Sequence, residues 1–170
     1  MAYRITRRVQ HALLWMGIAA AAAVAGWYLE RTADSISGSV RIMDGDSLVV
    51  GGTEIRLYGI DAVELHQTCD RDGQTWNCGR AATQALRDAT AGREVSCRPR
   101  ERDRYGRTVA VCTAGGVDLG AAMVRGGYAI ALGAYRADER EARDARRGIW
   151  ASRFDRPSEW RARNSRRQQR

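Results

Sequence analysis

The stretch SVRIMDGDSLVVGGTEIRLYGI, residues 39–60, decides the fold. Ser39 to Met43, Ser47 to Val50 and Glu54 to Ile60 are short runs rich in strand-forming residues, separated by Asp44-Gly45 and Gly51-Gly52. Short runs punctuated in this way read as three consecutive antiparallel strands. Working outward, Gly79 to Ala91 reads as a helix, with Ala82, Leu86 and Ala89 on one face and Gly92 as its stop. Two further strands, Glu94 to Pro99 and Thr108 to Thr113, flank the charged segment Arg100 to Arg107. A short helix from Asp118 to Arg125 ends at Gly126-Gly127, and a charged one from Ala137 to Arg147 ends at Gly148. Five strands with helices after the third and fifth place the chain in the α+β class, mainly β, as a small Greek-key barrel with about three helices.

The 170 residues leave room for one domain plus extensions, since single domains most often hold about 100–150 residues. The formal charge is +8, and every basic side chain is arginine because the sequence contains no lysine. The guanidinium fork donates two parallel hydrogen bonds to an oxyanion where an ammonium acts as a point charge, which suits a phosphate partner. A coding bias toward arginine yields the same composition, so net charge alone supports a nucleic-acid partner only weakly.

The amino terminus is a separate object. Arg4, Arg7 and Arg8 precede an uncharged apolar stretch from Ala12 to Leu29, closed by Glu30 and Arg31, with Trp15, Trp27 and Tyr28 near its ends. About 18–20 apolar residues span a bilayer as a helix, and leading arginines keep the amino end in the cytoplasm. Residues 1–31 therefore read as a signal anchor that leaves the rest of a single-pass protein outside the cytoplasm, periplasmic or extracellular. Ala23-Val24-Ala25 also offers a small-x-small cleavage site, which gives a secreted protein instead. Residues 32–38 read as a linker, 39–150 as the domain, and 151–170 as an Arg-rich, solvated and partly disordered tail. Cys69, Cys78, Cys97 and Cys112 agree with export, because an even count in a translocated domain reads as disulfides. Cys69 is expected to join Cys78 across a polar loop, and Cys97 to join Cys112 across two paired strands.

Three blocks carry the chemistry: Asp44-Gly45-Asp46-Ser47, Arg56 through Glu64, and Asp103-Arg104-Tyr105-Gly106-Arg107. Asp46 opens the second strand and Asp61 closes the third, so the two carboxylates meet at one rim of the sheet. With a backbone carbonyl and water they make an oxygen-only site suited to a hard cation such as calcium. Asp44 is expected to form the turn. Glu64, three residues beyond Asp61, is placed to orient and deprotonate a water without being consumed as a ligand. Arg56 and Arg107 are candidate clamps for the charge that gathers on a five-coordinate phosphorus. Arg104, Tyr105 and Tyr135 are candidate substrate contacts, since an aromatic face stacks on a base and a hydroxyl reaches a phosphate. His66 reads as a loop residue, and no second histidine lies in the domain to run a histidine-based nuclease.

In order and spacing these blocks resemble the staphylococcal nuclease (thermonuclease) family, over roughly residues 38 to 150. The resemblance implies a five-stranded barrel of the oligonucleotide-binding type. It implies metal ligation by Asp46, Asp61 and the carbonyl of Ala62, with catalytic roles for Arg56, Glu64 and Arg107. Calcium as cofactor, DNA or RNA as substrate, low sequence specificity and a monomeric state are its further implications. The rival expectation is a catalytically silent module that binds nucleic acid or protein on the same barrel. Val63 stands where the family usually carries Pro, so the Glu64 loop is expected to be looser. Gly133 stands where the family often has a second pocket tyrosine.

Overall fold

In this computed structural model the backbone is described for residues 2–33 and 35–168, and side chains for residues 11–26 and 35–164. The chain divides into two compact units, Met1–Ser35 and Ile36–Arg170. The first is helix α1 (Ala2–Ala33). Its described side chains are exposed, among them Leu13, Leu14, Trp15, Met16, Ile18 and Val24. Among the described residues no helix is long and apolar enough to cross a membrane. The expectations placed on Arg4, Arg7, Arg8, Trp27, Tyr28 and Leu29 fall outside the described side chains.

The second unit runs β1 (Ile36–Ser37), β2 (Val40–Ile42), β3 (Ser47–Val50), β4 (Thr53–Leu57), β5 (Ile60–Ala62), β6 (Cys69–Arg71), β7 (Gln74–Trp76) and α2 (Cys78–Thr90). It continues through β8 (Val95–Arg102), β9 (Thr108–Ala114), β10 (Val117–Asp118), α3 (Leu119–Arg125), β11 (Ala129–Ala131), α4 (Arg136–Asp144), a 3-10 turn (Gly148–Ala151) and α5 (Pro157–Gln168). The five expected strands are β2, β3, β4, β8 and β9, and they occupy consecutive places in the main sheet, β1-β8-β9-β4-β3-β2. β2, β3 and β4 pair antiparallel as the turn signals require. β4 and β9 pair parallel, which α2 and β8 make possible by carrying the chain across.

β1 pairs with β8 and β2 with β3, so residues 36–42 supply both edges of the main path and bend it into an oligonucleotide-binding-type barrel wall. The break between β1 and β2 is Gly38, at φ 143°, where a Cβ would lie 2.9 Å from the Gly51 Cα. Only glycine allows the two segments to approach there. Alternation along the strands turns Leu48, Val50, Ile55, Leu57, Val95 and Cys97 inward, where Ala82 and Leu86 of α2 cover them. Leu119, Met123 and Val124 of α3 join the same core, with Ile130 and Ile149.

Three features depart from the sequence reading. The third strand breaks at Tyr58-Gly59, and its continuation β5 leaves the main sheet to pair with β11. The Cys69–Cys78 segment is a hairpin, β6–β7, rather than a loop. The segment expected as a partly disordered tail contains α5, entered through a backbone bridge between Asp70 and Arg153. Both disulfides join the expected partners, Cys69 with Cys78 and Cys97 with Cys112, the latter facing residues of β8 and β9.

Candidate active site

The antiparallel register sets Ser47 of β3 opposite Arg56 of β4. The turn before β3 and the short β5 then bring Asp46 and Asp61 to the same end of the wall. Arg56 lies between them: its Nη1 donates to Asp46 Oδ1 at 3.1 Å and its Nη2 to Asp61 Oδ1 at 2.7 Å. Both carboxylates are buried, at 4 % and 2 % exposure. Asp46 also accepts from the Ser47 hydroxyl at 3.0 Å and from the Ala62 N–H at 2.9 Å. Asp44 accepts the Asp46 N–H at 3.0 Å, which is the turn-forming role expected of it.

Burial pushes the Asp46 carboxyl up to about 7, and the nearby Asp44 and Asp61 add to the rise, while Arg56 and the Ala62 N–H oppose it. A bound cation favours the ionised form, so the buried pair is a site that gains most when a positive charge arrives. The donor chemistry fits a hard cation of the calcium type: two carboxylates on one rim, Ala62 beside them, and water to complete the shell. Among the described residues no group of three or more His, Cys, Asp or Glu side chains is gathered closely enough to hold an ion unaided.

The loop carrying Glu64 is tightly held despite the absence of proline. The Val63 N–H donates to the Tyr128 carbonyl at 3.4 Å, a bond that proline would forfeit, and the Val63 side chain is buried. Buried Gln67 accepts the Glu64 N–H at 3.1 Å and donates through Nε2 to the Asp155 carbonyl at 2.7 Å, while its own N–H donates to the Glu64 carbonyl at 2.7 Å. Gly79 of α2 packs against that carbonyl so closely that a Cβ would lie 1.7 Å from it.

The turn between β8 and β9 lies beside the carboxylate rim, since β9 is the neighbour of β4. Asp103 ties it together, accepting from the N–H groups of Tyr105 at 2.9 Å and Arg107 at 3.0 Å and from Arg107 Nε at 2.8 Å. Desolvation raises the Asp103 carboxyl, yet these bonds together outweigh it and hold the group below the usual carboxylate range. Arg104 lies over the Tyr105 ring at 4.8 Å and Arg107 at 5.7 Å, and the ring itself is 69 % exposed. Residues of this turn and of the carboxylate rim line one cleft of about 840 Å³. Asp46, Arg56, Ala62, Glu64, Arg104, Tyr105 and Arg107 all line it.

Tyr135 is placed elsewhere. Its hydroxyl donates to Asp118 Oδ2 at 3.0 Å, its ring packs against Gly120, and it does not line the cleft. Burial first, and then the Asp118 contact, raise its phenol above the ordinary range. Besides Tyr105, the cleft is lined by Tyr58, at the break between β4 and β5, with Leu132 also in the lining. The only sequence signal of Tyr58 was its position inside the second block.

One cleft residue had no sequence signal at all. Arg161 of α5 donates through Nη1 to Asp61 Oδ1 at 2.9 Å and to Glu64 Oε1 at 2.6 Å, and through Nη2 to Asp61 Oδ2 at 3.1 Å.

Residues 54–152 match the family model described as staphylococcal nuclease homologue. The chain is 34 % identical to the micrococcal nuclease of Shigella flexneri, over 90 % of this chain and 95 % of that one. It is 34 % identical to the succinoglycan biosynthesis protein ExoI of Rhizobium meliloti (strain 1021), over 69 % of this chain and 66 % of that one, just under two thirds of the relative's length. An uncharacterized endonuclease of Escherichia coli is 33 % identical, over 66 % of this chain and 74 % of its own.

Proposed function

Because the chain belongs to the staphylococcal nuclease homologue family, we propose that it is a calcium-dependent nuclease that hydrolyses phosphodiester bonds of DNA and RNA with low sequence specificity. One observation carries this reading: Arg56 lines the cleft and joins Asp46 to the buried Asp61, and Glu64 and Arg107 line the same cleft. Asp46 and Asp61, with the Ala62 carbonyl, would hold the calcium ion, which when bound supplies positive charge to the phosphate oxygens. Glu64 is the base that takes the proton of the attacking water. Arg56 and Arg107 approach the phosphate from two sides and stabilise the charge that grows on it in the transition state. Arg104 and Tyr105 offer a cation and an open ring to the neighbouring backbone and base. Such contacts read the backbone and the π-face common to all bases, which is why specificity is low.

The test is cleavage of single-stranded DNA by the purified full chain, with calcium and then with excess chelator, beside Glu64→Gln. Cleavage should require calcium, and the variant should be slower by about 10²–10⁴-fold. Full activity in Glu64→Gln would overturn the assignment of the base.

The proposal extends to location. The apolar composition of α1 and the two disulfides support a domain held at, or released from, the outer side of a membrane. Fractionation that recovers the protein in the cytoplasm, with its cysteines reduced, would contradict this.

A further inference from the structure

We propose that α5 is a built-in competitor for the cation site: the Arg161 guanidinium stands where the divalent ion must bind, and metal and substrate enter only as it withdraws. This rests on the nuclease reading above and concerns the control of that same site.

The geometry is specific. Arg161 takes both oxygens of Asp61 and one of Glu64, the first a candidate ligand and the second the candidate base. Asp61 Oδ1 already accepts from Arg56, so with Arg161 in place its lone pairs are directed to guanidinium groups. An ion that takes Asp61 must displace the α5 contact. The Asp61 and Glu64 contacts hold Arg161 firmly in its charged form, so the plug does not lift by deprotonation. A competing cation or a competing anion must remove it.

The attachment of α5 allows such removal. The chain is pinned at Arg153, which exchanges two backbone hydrogen bonds with Asp70 at 2.9 and 2.7 Å, and at Asp155, whose carbonyl accepts from Gln67. Beyond that point only Pro157 is buried among the described side chains of the helix. Trp160 and Asn164 are half-buried and their hydrogen bond lies within the helix, while Arg163 pairs with Asp155. The contacts of Arg161 are thus the main polar link described between α5 and the cleft, and that side chain is 42 % exposed. Partly exposed ion pairs are individually modest, so a polyanionic strand offering phosphates to Arg156, Arg161 and Arg163 competes for the helix as calcium competes for the carboxylates. α5 lies beyond residue 152, where the family match ends.

Calcium titration by calorimetry on the full chain tests this, comparing the native protein with Arg161→Ala and Arg161→Gln in the absence of nucleic acid. Both variants should bind calcium about ten-fold more tightly. In the native protein, calcium should also accelerate amide hydrogen exchange across residues 157–164, the signature of a helix that has let go. Equal calcium affinity in the native protein and both variants overturns the proposal and leaves the metal site standing. So does calcium binding that leaves exchange in α5 unchanged. Absence of calcium binding in all three proteins overturns the proposal together with the metal-site reading.

Discussion

The two candidate clamp arginines of the cleft are held in opposite ways. Arg56 is fixed by carboxylates that come from other parts of the chain and are almost wholly buried, whereas Arg107 is fixed by Asp103, four residues earlier in its own turn. On the proposed reading Arg56 is both a clamp and the counter-charge that lets two buried aspartates coexist. On that reading Arg107 is a clamp only, set in advance by its own turn. Two residues given the same chemical task are thus expected to differ sharply in what the fold loses without them.

The largest effect should follow Arg56→Ala. Among the described residues Asp46 then keeps only neutral donors, and Asp61 keeps Arg161. Removing one partner of a buried pair leaves an uncompensated charge, and a loss of about 3 kcal/mol is expected in urea unfolding, alongside the loss of cleavage. Unchanged stability would mean that Arg161 alone neutralises the rim, and the contrast with Arg107 would fail.

The same burial gives a pH signature to the metal-free protein. The Asp46 carboxyl is raised from 3.8 to about 7, so the folded state holds a proton that the unfolded chain has released. Stability from this group is fully present below pH 4 and is lost as pH rises to about 7. Asp46→Asn carries no such proton, so with chelator present it should gain on the native protein across that window, by up to a few kcal/mol. Thermal melts at pH 4 and pH 7.5 check this; a gap between the two proteins that does not widen with pH would show that Arg56 keeps the carboxylate ionised.

A smaller effect separates the loop from the rim it serves. Gln67→Ala leaves the Glu64 N–H and the Asp155 carbonyl without the side chain that joins them, and should cost about 2 kcal/mol. It should also lower kcat more than it raises KM, because Glu64 is positioned by this bond rather than made by it. Steady-state kinetics with unchanged kcat would show that the Val63 to Tyr128 contact and the close packing of Gly79 suffice.

What the sequence reveals follows the same division. The strands β2, β3 and β4 are local, with turn signals at both junctions, and their register sets Arg56 opposite Ser47 and so beside Asp46, whereas Asp61 arrives on β5, which leaves that sheet to pair with β11. Arg107 and Asp103 sit within one five-residue block, so that turn is legible too. Val63 was expected to loosen the Glu64 loop, but its side chain is buried and Gln67 ties the loop to Asp155, a contact 88 residues away that no local pattern encodes. Tyr135 fits the motif by position, yet its hydroxyl donates to Asp118, and the tyrosines that line the cleft are Tyr58 and Tyr105. Arg161 is the extreme case. Among so many C-terminal arginines nothing marks one as the partner of Asp61, 100 residues earlier.

The smallest expected change in stability completes the comparison. In Arg107→Ala the partner Asp103 stays in a turn that its backbone contacts to Tyr105 and Arg107 still organise, and its carboxyl moves back up toward the ordinary range as the guanidinium contact is lost. Both side chains of the pair are partly open to solvent, so urea unfolding should shift by less than about 1 kcal/mol. Cleavage should nevertheless fall by about 10²–10³-fold, because a charge aimed at the transition state is worth most where chemistry occurs. If Arg107→Ala unfolds as readily as Arg56→Ala, the turn is not self-sufficient, and both clamps are part of the fold's own charge balance. If it keeps both its stability and its rate, Arg56 alone carries the phosphate, and the β8–β9 turn serves only to hold the strand through Arg104 and Tyr105.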